Sequence, residues 1–429
     1  MCRINYFCSF PAQFPEVTVN KPKTSLKRKL YDVIICLALL SVMTALVIFP
    51  QQSVKAGGDG VKLCLNVIIP SLFPFFVISS LVIELGIAAK LGRFIEPIMS
   101  KLFRVNGACS AAFVLGFIGG YPVGAKTAIT LYEKGQCSKL EAERLLSFCN
   151  NSGPAFILGV VGAGVFSNSI VGLLLYLAHT AASVVIGILF RNWGDGGSYA
   201  DSSGPYLMPG KNQKAPGFAS AFTIAVKNAF QTTLNICGFV IFFTVIIRLL
   251  FIANIIPAVA SVLGGIFSPF GFNQAAAERL LTGLIELTSG VWTLQNSAAQ
   301  LTASAAMAAF MLGWAGLSIH CQALSFLCDS GLSAKTYIIG KFLHGILSAA
   351  LVYFIVRLFL IEAPVSSYLA EQVTGMTGMG FFKSLILSTG CAFLLLFCLT
   401  LFSRAISSHT LTPNKTTGKK SGKSVEKSL

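Results

Sequence analysis

The chain has 429 residues, of which 54% are hydrophobic and only 11% charged, with 35 phenylalanines and a formal net charge of +16. Soluble domains carry about a quarter charged residues, so this balance excludes one and points to a polytopic, all-α membrane protein. The charge gathers at the ends, in "KPKTSLKRK" before residue 30 and "TPNKTTGKKSGKSVEKS" near the C-terminus, which makes both tails cytoplasmic anchors against anionic lipid rather than a nucleic-acid surface.

A span needs about twenty mainly apolar residues. On that measure helices are predicted over 31–50, 61–84, 144–165, 168–190, 232–252, 300–320, 336–361 and 380–403, eight crossings between a basic tail at 1–30 and another at 404–429. The first run, Val33 to Phe49, has the flanks of a signal peptide, with "VKA" before Gly57 as a poor cleavage site; its length and long polar leader predict a retained helix instead.

Two segments read as interfacial. Residues 86–105 carry Lys90, Arg93, Lys101 and Arg104 among apolar residues, the pattern of an amphipathic helix on the cytoplasmic face, whereas 253–272 has no Lys or Arg and belongs on the outer face. Residues 108–135 and 275–297 are apolar but too broken to cross, and read as re-entrant hairpins, since non-helical backbone at membrane depth needs protein or a water-filled cavity around it. The polar stretch Asn192 to Gly217 reads as a flexible cytoplasmic connector.

The order helix, interfacial segment, hairpin, broken helix, helix thus occurs twice, in 61–190 and, after the connector, within 218–361. Each unit crosses three times, an odd number inverts the next copy, and the opposite basicity of the two interfacial segments agrees. Inverted repeats with discontinuous helices are the architecture of secondary transporters, whose sites lie near the midplane between the repeats.

Four motifs carry the candidate chemistry. In "GFIGGYPVGAK", Gly119, Gly120 and Gly124 permit unusual backbone and close approach, and Pro122 breaks the helix at Tyr121. Freed amides and Lys126 there could bind an anion; the plain alternative is a tight hairpin tip with Lys126 reaching the headgroups. In "CNNSGP", Asn150, Asn151, Ser152 and Gly153 interrupt a helix, either facing a ligand or coupling cation or capping the half-helices. In "GLIELTSG", Glu286 lies beside Thr288 and Ser289, an intramembrane carboxylate that binds substrate, proton or cation, or pairs with Arg279. In "GWAGLSIHCQA", Ser318 and His320 follow a glycine-loosened stretch, and His320 is a candidate proton carrier. His179 and His344, each alone on an apolar helix, are assigned structural roles.

The twelve cysteines are scattered through apolar segments without a CxxC pair and read as small hydrophobes. No HExxH, GxxxxGK[ST] or GxSxG occurs, so no enzyme site, resident metal or cofactor is expected.

Together with "PSLFPFFVISSLVIELG" and "FIEPIMSKLFRVNG", these motifs resemble, in order and spacing over roughly 60–360, the YlbJ family of sporulation integral membrane proteins. That family sits within the nucleoside-recognition, or Gate-domain, group that includes parts of concentrative nucleoside transporters. Gly119, Val123, Cys149 and Cys321 are the departures. The resemblance implies a related architecture, a place in a membrane around the forespore, and movement of dipicolinic acid toward the spore for cortex formation. Three functions follow as expectations: a secondary transporter of a small organic anion, dipicolinate foremost, coupled to a proton or sodium; a transporter of a nucleoside or related heterocycle; or a non-transporting scaffold whose basic tails dock partners.

Overall fold

The computed structural model describes residues 26–85, 87, 95–194, 217–295, 301–328 and 330–358. The span expected at 380–403, the C-terminal tail, residues 1–25, most of the connector and most of the first interfacial segment lie outside them. Every described regular element is helical. The described residues fall into two compact units, divided between Gln51 and Gln52. In the first, α1 (Leu26–Ile48) is one 23-residue helix with exposed Leu37, Met43 and Val47, side chains suited to lipid.

Helix α2 runs over Pro50–Leu63, and the second unit, from Gln52, holds the rest of it, a π-helical turn (Cys64–Ile68) and α3 (Ile69–Glu84). Residues 51–60, expected between two spans, are therefore helical. Pro50 sits in the first turn, where its missing N–H costs nothing, and Gly60 lets α2 lie against Ile241, whose Cα would stand 3.0 Å from an added Cβ. After 95–103 the chain bends by 111° into Gly107–Gly119. The first hairpin is α4 (Ser110–Gly119) and α5 (Val123–Glu133). Then come α6 (Lys139–Leu146), started by a Ser138–Glu141 capping box, the irregular Ser147–Pro154, the π-helical Ala155–Val165, and α7 (Ser169–Leu189), capped by Asn168.

The same series follows again. It comprises α8 (Phe218–Ile252), α9 (Ile255–Phe267), a hairpin of α10 (Gln274–Ile285) and α11 (Leu287–Trp292), a broken helix of α12 (Leu301–Trp314) and α13 (Gly316–Leu327), and α14 (Ala334–Leu358). The span expected from 232 starts at Phe218, because nothing in residues 218–231 breaks a helix and Gly217 supplies its N-cap. Neither 144–165 nor 300–320 is continuous: the first opens at Ser147–Pro154, and the second breaks at Ala315 and Gly316, both at positive φ (81° and 78°). Five described helices are long and apolar enough to cross a membrane, or six if the bent pair counts as one span.

Equivalent elements of the two repeats meet. The Cys64 thiol donates to the Cys237 carbonyl at 3.8 Å, joining the first helices of the repeats, and the His179 and His344 rings of α7 and α14 lie 4.3 Å apart. Helix α12 approaches α14 so closely that a Cβ on Gly313 would stand 2.5 Å from the Gly345 Cα, the small-residue contact that packs helices where lipid removes the hydrophobic drive. One core cluster joins residues of both repeats, including Ile68, Leu175, Val240 and Leu312.

Candidate functional site

The breaks in each repeat lie against one another. Gly120, at φ 69°, ends α4, and a Cβ there would come within 2.9 Å of the Gly153 nitrogen. In the second repeat a Cβ on Gly316 would stand 3.0 Å from the Leu287 nitrogen. A hairpin tip thus touches the break of the helix after it, twice, and no side chain fits between them. At the second tip Glu286, only 2% exposed, caps α11: its carboxylate accepts from Thr288 N–H at 2.9 Å and from Ser289 N–H. Those bonds, and not the alternative pairing with Arg279, hold the carboxylate. They also satisfy two of the backbone N–H groups left open at the start of the helix.

Between these four breaks is a cleft of about 60 Å³, lined by Gly120, Tyr121, Ser152 and Gly153 from the first repeat and Glu286, Thr288 and Ser318 from the second. Phe75, Phe76, Phe156 and Phe239 supply apolar walls, and the lining includes no Lys or Arg. Waters fit in this space but an aromatic solute does not, since small-molecule sites run to about 300–1,000 Å³. A wider chamber of about 440 Å³ adjoins it, lined by Glu84, Gly119, Lys126, Asn228, Asn235 and Gln322 among others, with Phe76, Ile236, Phe239 and Gln322 shared with the cleft. Another chamber of about 400 Å³ is lined by Asp59, Lys62, Asn66, Thr244, Ser289 and Trp292.

These spaces are strung along the first helix of each repeat in opposite order. From 59 to 84 the chain passes the Asp59 chamber, then the cleft, then the Lys126 chamber; from 228 to 244 it passes them in reverse. The two helices are antiparallel, as inverted repeats require. At 1.5 Å per residue, 228–244 covers about 24 Å, most of a bilayer's hydrocarbon core.

Behind Tyr121 is a polar cluster that reading the sequence missed. Lys341, 1% exposed, donates from Nζ to the Tyr121 hydroxyl (2.8 Å), the Asn150 carbonyl (2.9 Å) and His344 Nδ1 (3.3 Å). All its acceptors are neutral; among the described residues no carboxylate pairs with it. Tyr121 donates onward to the Leu312 carbonyl at 2.8 Å. His344 Nε2 donates to the His179 carbonyl at 2.9 Å, and His179 Nε2 accepts the Ser152 N–H at 3.1 Å. The Asn150 amide donates to Tyr337 (3.3 Å), whose hydroxyl is 3.0 Å from His320 Nδ1. The signal was a lysine three residues before a histidine inside an apolar span. One charge leaves the span's hydropathy unaltered, so the local sequence reads as an ordinary membrane helix.

Of the fourteen residues singled out from the sequence, Gly120, Tyr121, Ser152, Gly153, Glu286, Thr288 and Ser318 line the cleft. Gly119 and Lys126 belong to the adjoining chamber, where the Lys126 ammonium lies 5.8 Å from the Phe326 ring centroid. Ser289 faces the opposite chamber and meets the Thr244 hydroxyl at 3.2 Å. Gly124 is a packing residue: its missing Cβ makes room for the Cys149 carbonyl. Asn150 and Asn151 are fully buried behind the cleft, Asn151 donating to the Phe148 carbonyl and Ser183. His320 is likewise buried, against Trp314 and Tyr337. His179 and His344, assigned as isolated, are partners in one cluster. No group of three or more His, Cys, Asp or Glu suited to a metal occurs among the described residues.

With two hairpins and two broken helices around a central cleft, the chain has the fold of the concentrative nucleoside transporter CNTnw. The chain superposes on CNTnw in an inward-facing substrate-bound state with a TM-score of 0.50 at 15% identity, covering 79% of this chain and 88% of that one. On a CNTnw variant in an intermediate state the TM-score is 0.52 at 16% identity, covering 77% and 85%. The family model "Gate: Nucleoside recognition" matches residues 65–192. The sporulation integral membrane protein YlbJ of Bacillus subtilis (strain 168) is 30% identical over 342 residues, 76% of this chain and 82% of the relative. The chain belongs to the YlbJ family of sporulation integral membrane proteins.

Proposed function

We propose that this protein is a secondary transporter that moves a small planar organic solute by alternating access, with dipicolinate the favoured cargo, across a membrane around the forespore. The observation that carries the reading is the aromatic-walled cleft at the meeting of four chain breaks, between two chambers at opposite ends of the same pair of helices. Thin barriers separate the spaces: side chains such as Phe76, Phe239 and Gln322 on one side, and the Thr244–Ser289 pair on the other. Moving either set opens the cleft one way, and admitting a ring requires that movement. With the connector cytoplasmic, the Lys126 chamber faces the cytoplasm.

An anion is supported by Lys341, a buried ammonium one hydroxyl behind the cleft wall with no carboxylate partner among the described residues. The printed name of the Bacillus relative supports the sporulation setting. Glu286 favours a second reading: a carboxylate in the cleft repels a dianion and accepts from the hydroxyls and ring N–H groups of a nucleoside-like heterocycle, and the nucleoside-recognition match agrees. Uptake of labelled dipicolinate and labelled uridine by proteoliposomes decides between them. Saturable dipicolinate uptake that excess uridine does not reduce is expected; uridine uptake alone would transfer the function to nucleosides. Deleting the gene in its host and measuring spore dipicolinate tests the cellular role, and normal content would remove it.

A further inference from the structure

We propose that Lys341 carries the proton that accompanies solute movement, and that its release unlocks the first hairpin. The inference rests on the transport reading above and names its coupling ion. Lys341 fixes three elements at once: its ammonium holds the hairpin tip through Tyr121, the break of the first repeat through the Asn150 carbonyl, and His344 on its own helix. The groups facing it are Tyr121 from the hairpin, Cys149 and Asn150 from the break, His344 and Tyr337 from α14, His179 of α7 through the His344 ring, and His320 of α13 through Tyr337. The amide is neutral, the histidines become positive on gaining a proton, and the Tyr and Cys side chains are neutral while they keep theirs, so among the described residues nothing facing Lys341 fixes the ammonium charge as a carboxylate would.

The hydrogen-bond directions tie the proton to the hairpin. With Lys341 charged, the Tyr121 oxygen accepts from it, and the Tyr121 hydrogen is spent on the Leu312 carbonyl of α12. Tyr121 also lines the cleft. For the proton to leave, Tyr121 turns its hydrogen from Leu312 to a cleft water; the O–H proton passes to that water as an N–H proton passes to the tyrosine oxygen. The products are hydronium, an intact tyrosine and a neutral amine with one N–H fewer. The neutral amine has a lone pair and no longer satisfies three acceptors, so the tip loses its bond to α12 and part of its bond to α14 together. Proton loss and detachment of the tip are one event, and the solute reaches the cleft only when the tip detaches.

Proteoliposomes test this with labelled dipicolinate and uridine as probes, each under a pH gradient without sodium and a sodium gradient without a pH difference. The wild type is expected to concentrate one probe about tenfold per pH unit if one proton moves per solute, and to show no accumulation with sodium alone. Lys341→Arg, which does not deprotonate, is expected to keep the tip closed and lose exchange of internal for external solute as well as accumulation, whereas Lys341→Met, with no proton to carry, is expected to lose accumulation and leave any remaining uptake insensitive to the pH gradient. Accumulation by either variant, a sodium requirement in the wild type, or wild-type exchange by a folded Lys341→Arg protein would overturn the proposal. If neither probe enters under any gradient, the transport reading fails, and a solute-free measurement decides about Lys341. In full-length protein whose only cysteine is Cys321, which is exposed in the Lys126 chamber, maleimide labelling is compared between Lys341 and Lys341→Arg across pH. A rate ratio that titrates supports the switch, and a flat ratio sinks it.

Discussion

At the first repeat's break the chain reads Asn150-Asn151-Ser152-Gly153-Pro154, and at the second it reads Gly313-Trp314-Ala315-Gly316. The first is held by side chains: Asn151 on Phe148 and Ser183, and Ser152 on His179. The second is held by backbone proximity, with Gly313 against Gly345 and Ala315 kept at φ 81° by its surroundings. The hairpin tips differ likewise, Tyr121 in one and Glu286 in the other. The third helices match, His179 and Ser183 answering His344 and Ser348, until the residue three before each histidine: Tyr176 in the first, Lys341 in the second. One backbone plan serves both halves, while the buried carboxylate in the cleft wall and the buried ammonium behind it, Glu286 and Lys341, come from the second. Architecture is shared and charge is not.

Gly124→Val should have the largest effect, because its side chain meets the Cys149 backbone carbonyl, which has nowhere to go. A loss above about 4 kcal/mol is expected, read as disappearance of the monodisperse peak in detergent chromatography. Gly290→Val tests the partner hairpin, where the obstacle is the Gly283 backbone; a folded Gly290→Val protein would show the second hairpin to be the more deformable.

Glu286→Ala comes next. Losing the cap costs about 1 kcal/mol, little for the fold, but solute uptake should fall at least tenfold at unchanged protein level. Glu286→Gln, which keeps an acceptor for one N–H, should recover part of it. Uptake near wild type in both would move the second repeat's contribution elsewhere.

Tyr121→Phe strands one N–H of the Lys341 ammonium and the Leu312 carbonyl, so thermal stability should drop by about 1–3 kcal/mol and uptake with it. Lys126→Gln should do least. At the rim of a chamber the charge attracts an anion rather than binding it, so half-saturation should rise a few-fold with the maximal rate unchanged, and the difference should shrink as salt is raised. No change for dipicolinate would make the Lys126 chamber the exit side.

The breaks were legible from local chemistry. Gly-Gly-Tyr-Pro, Asn-Asn-Ser-Gly-Pro, Glu-Leu-Thr-Ser-Gly and Gly-Trp-Ala-Gly each oppose a continuous helix by composition, and they supplied seven of the cleft residues. What the sequence withheld depends on register between distant segments. Nothing local distinguishes Asn151, turned away toward Ser183, from Ser152 in the cleft one residue later. His179 and His344, 165 residues apart, look solitary until α7 and α14 cross, and Lys341 resembles a stray charge until Tyr121 arrives from residues far earlier in the chain. The helical start at Pro50 was hidden by polar Gln51–Gly60, whose membrane-length continuity depends on packing against Ile241.

Microscopic reversibility leaves the direction of net flux through any passive carrier to the gradients across the membrane. Two identical inverted halves would also make it equally avid from either face. The exchange of tyrosine for lysine at positions 176 and 341 removes that equivalence, since the ammonium grips one hairpin tip and has no twin to grip the other. The two faces of such a carrier differ in half-saturation even when the overall equilibrium is unbiased, and that sidedness traces to one aliphatic amine without a counterpart across the pseudo-two-fold axis.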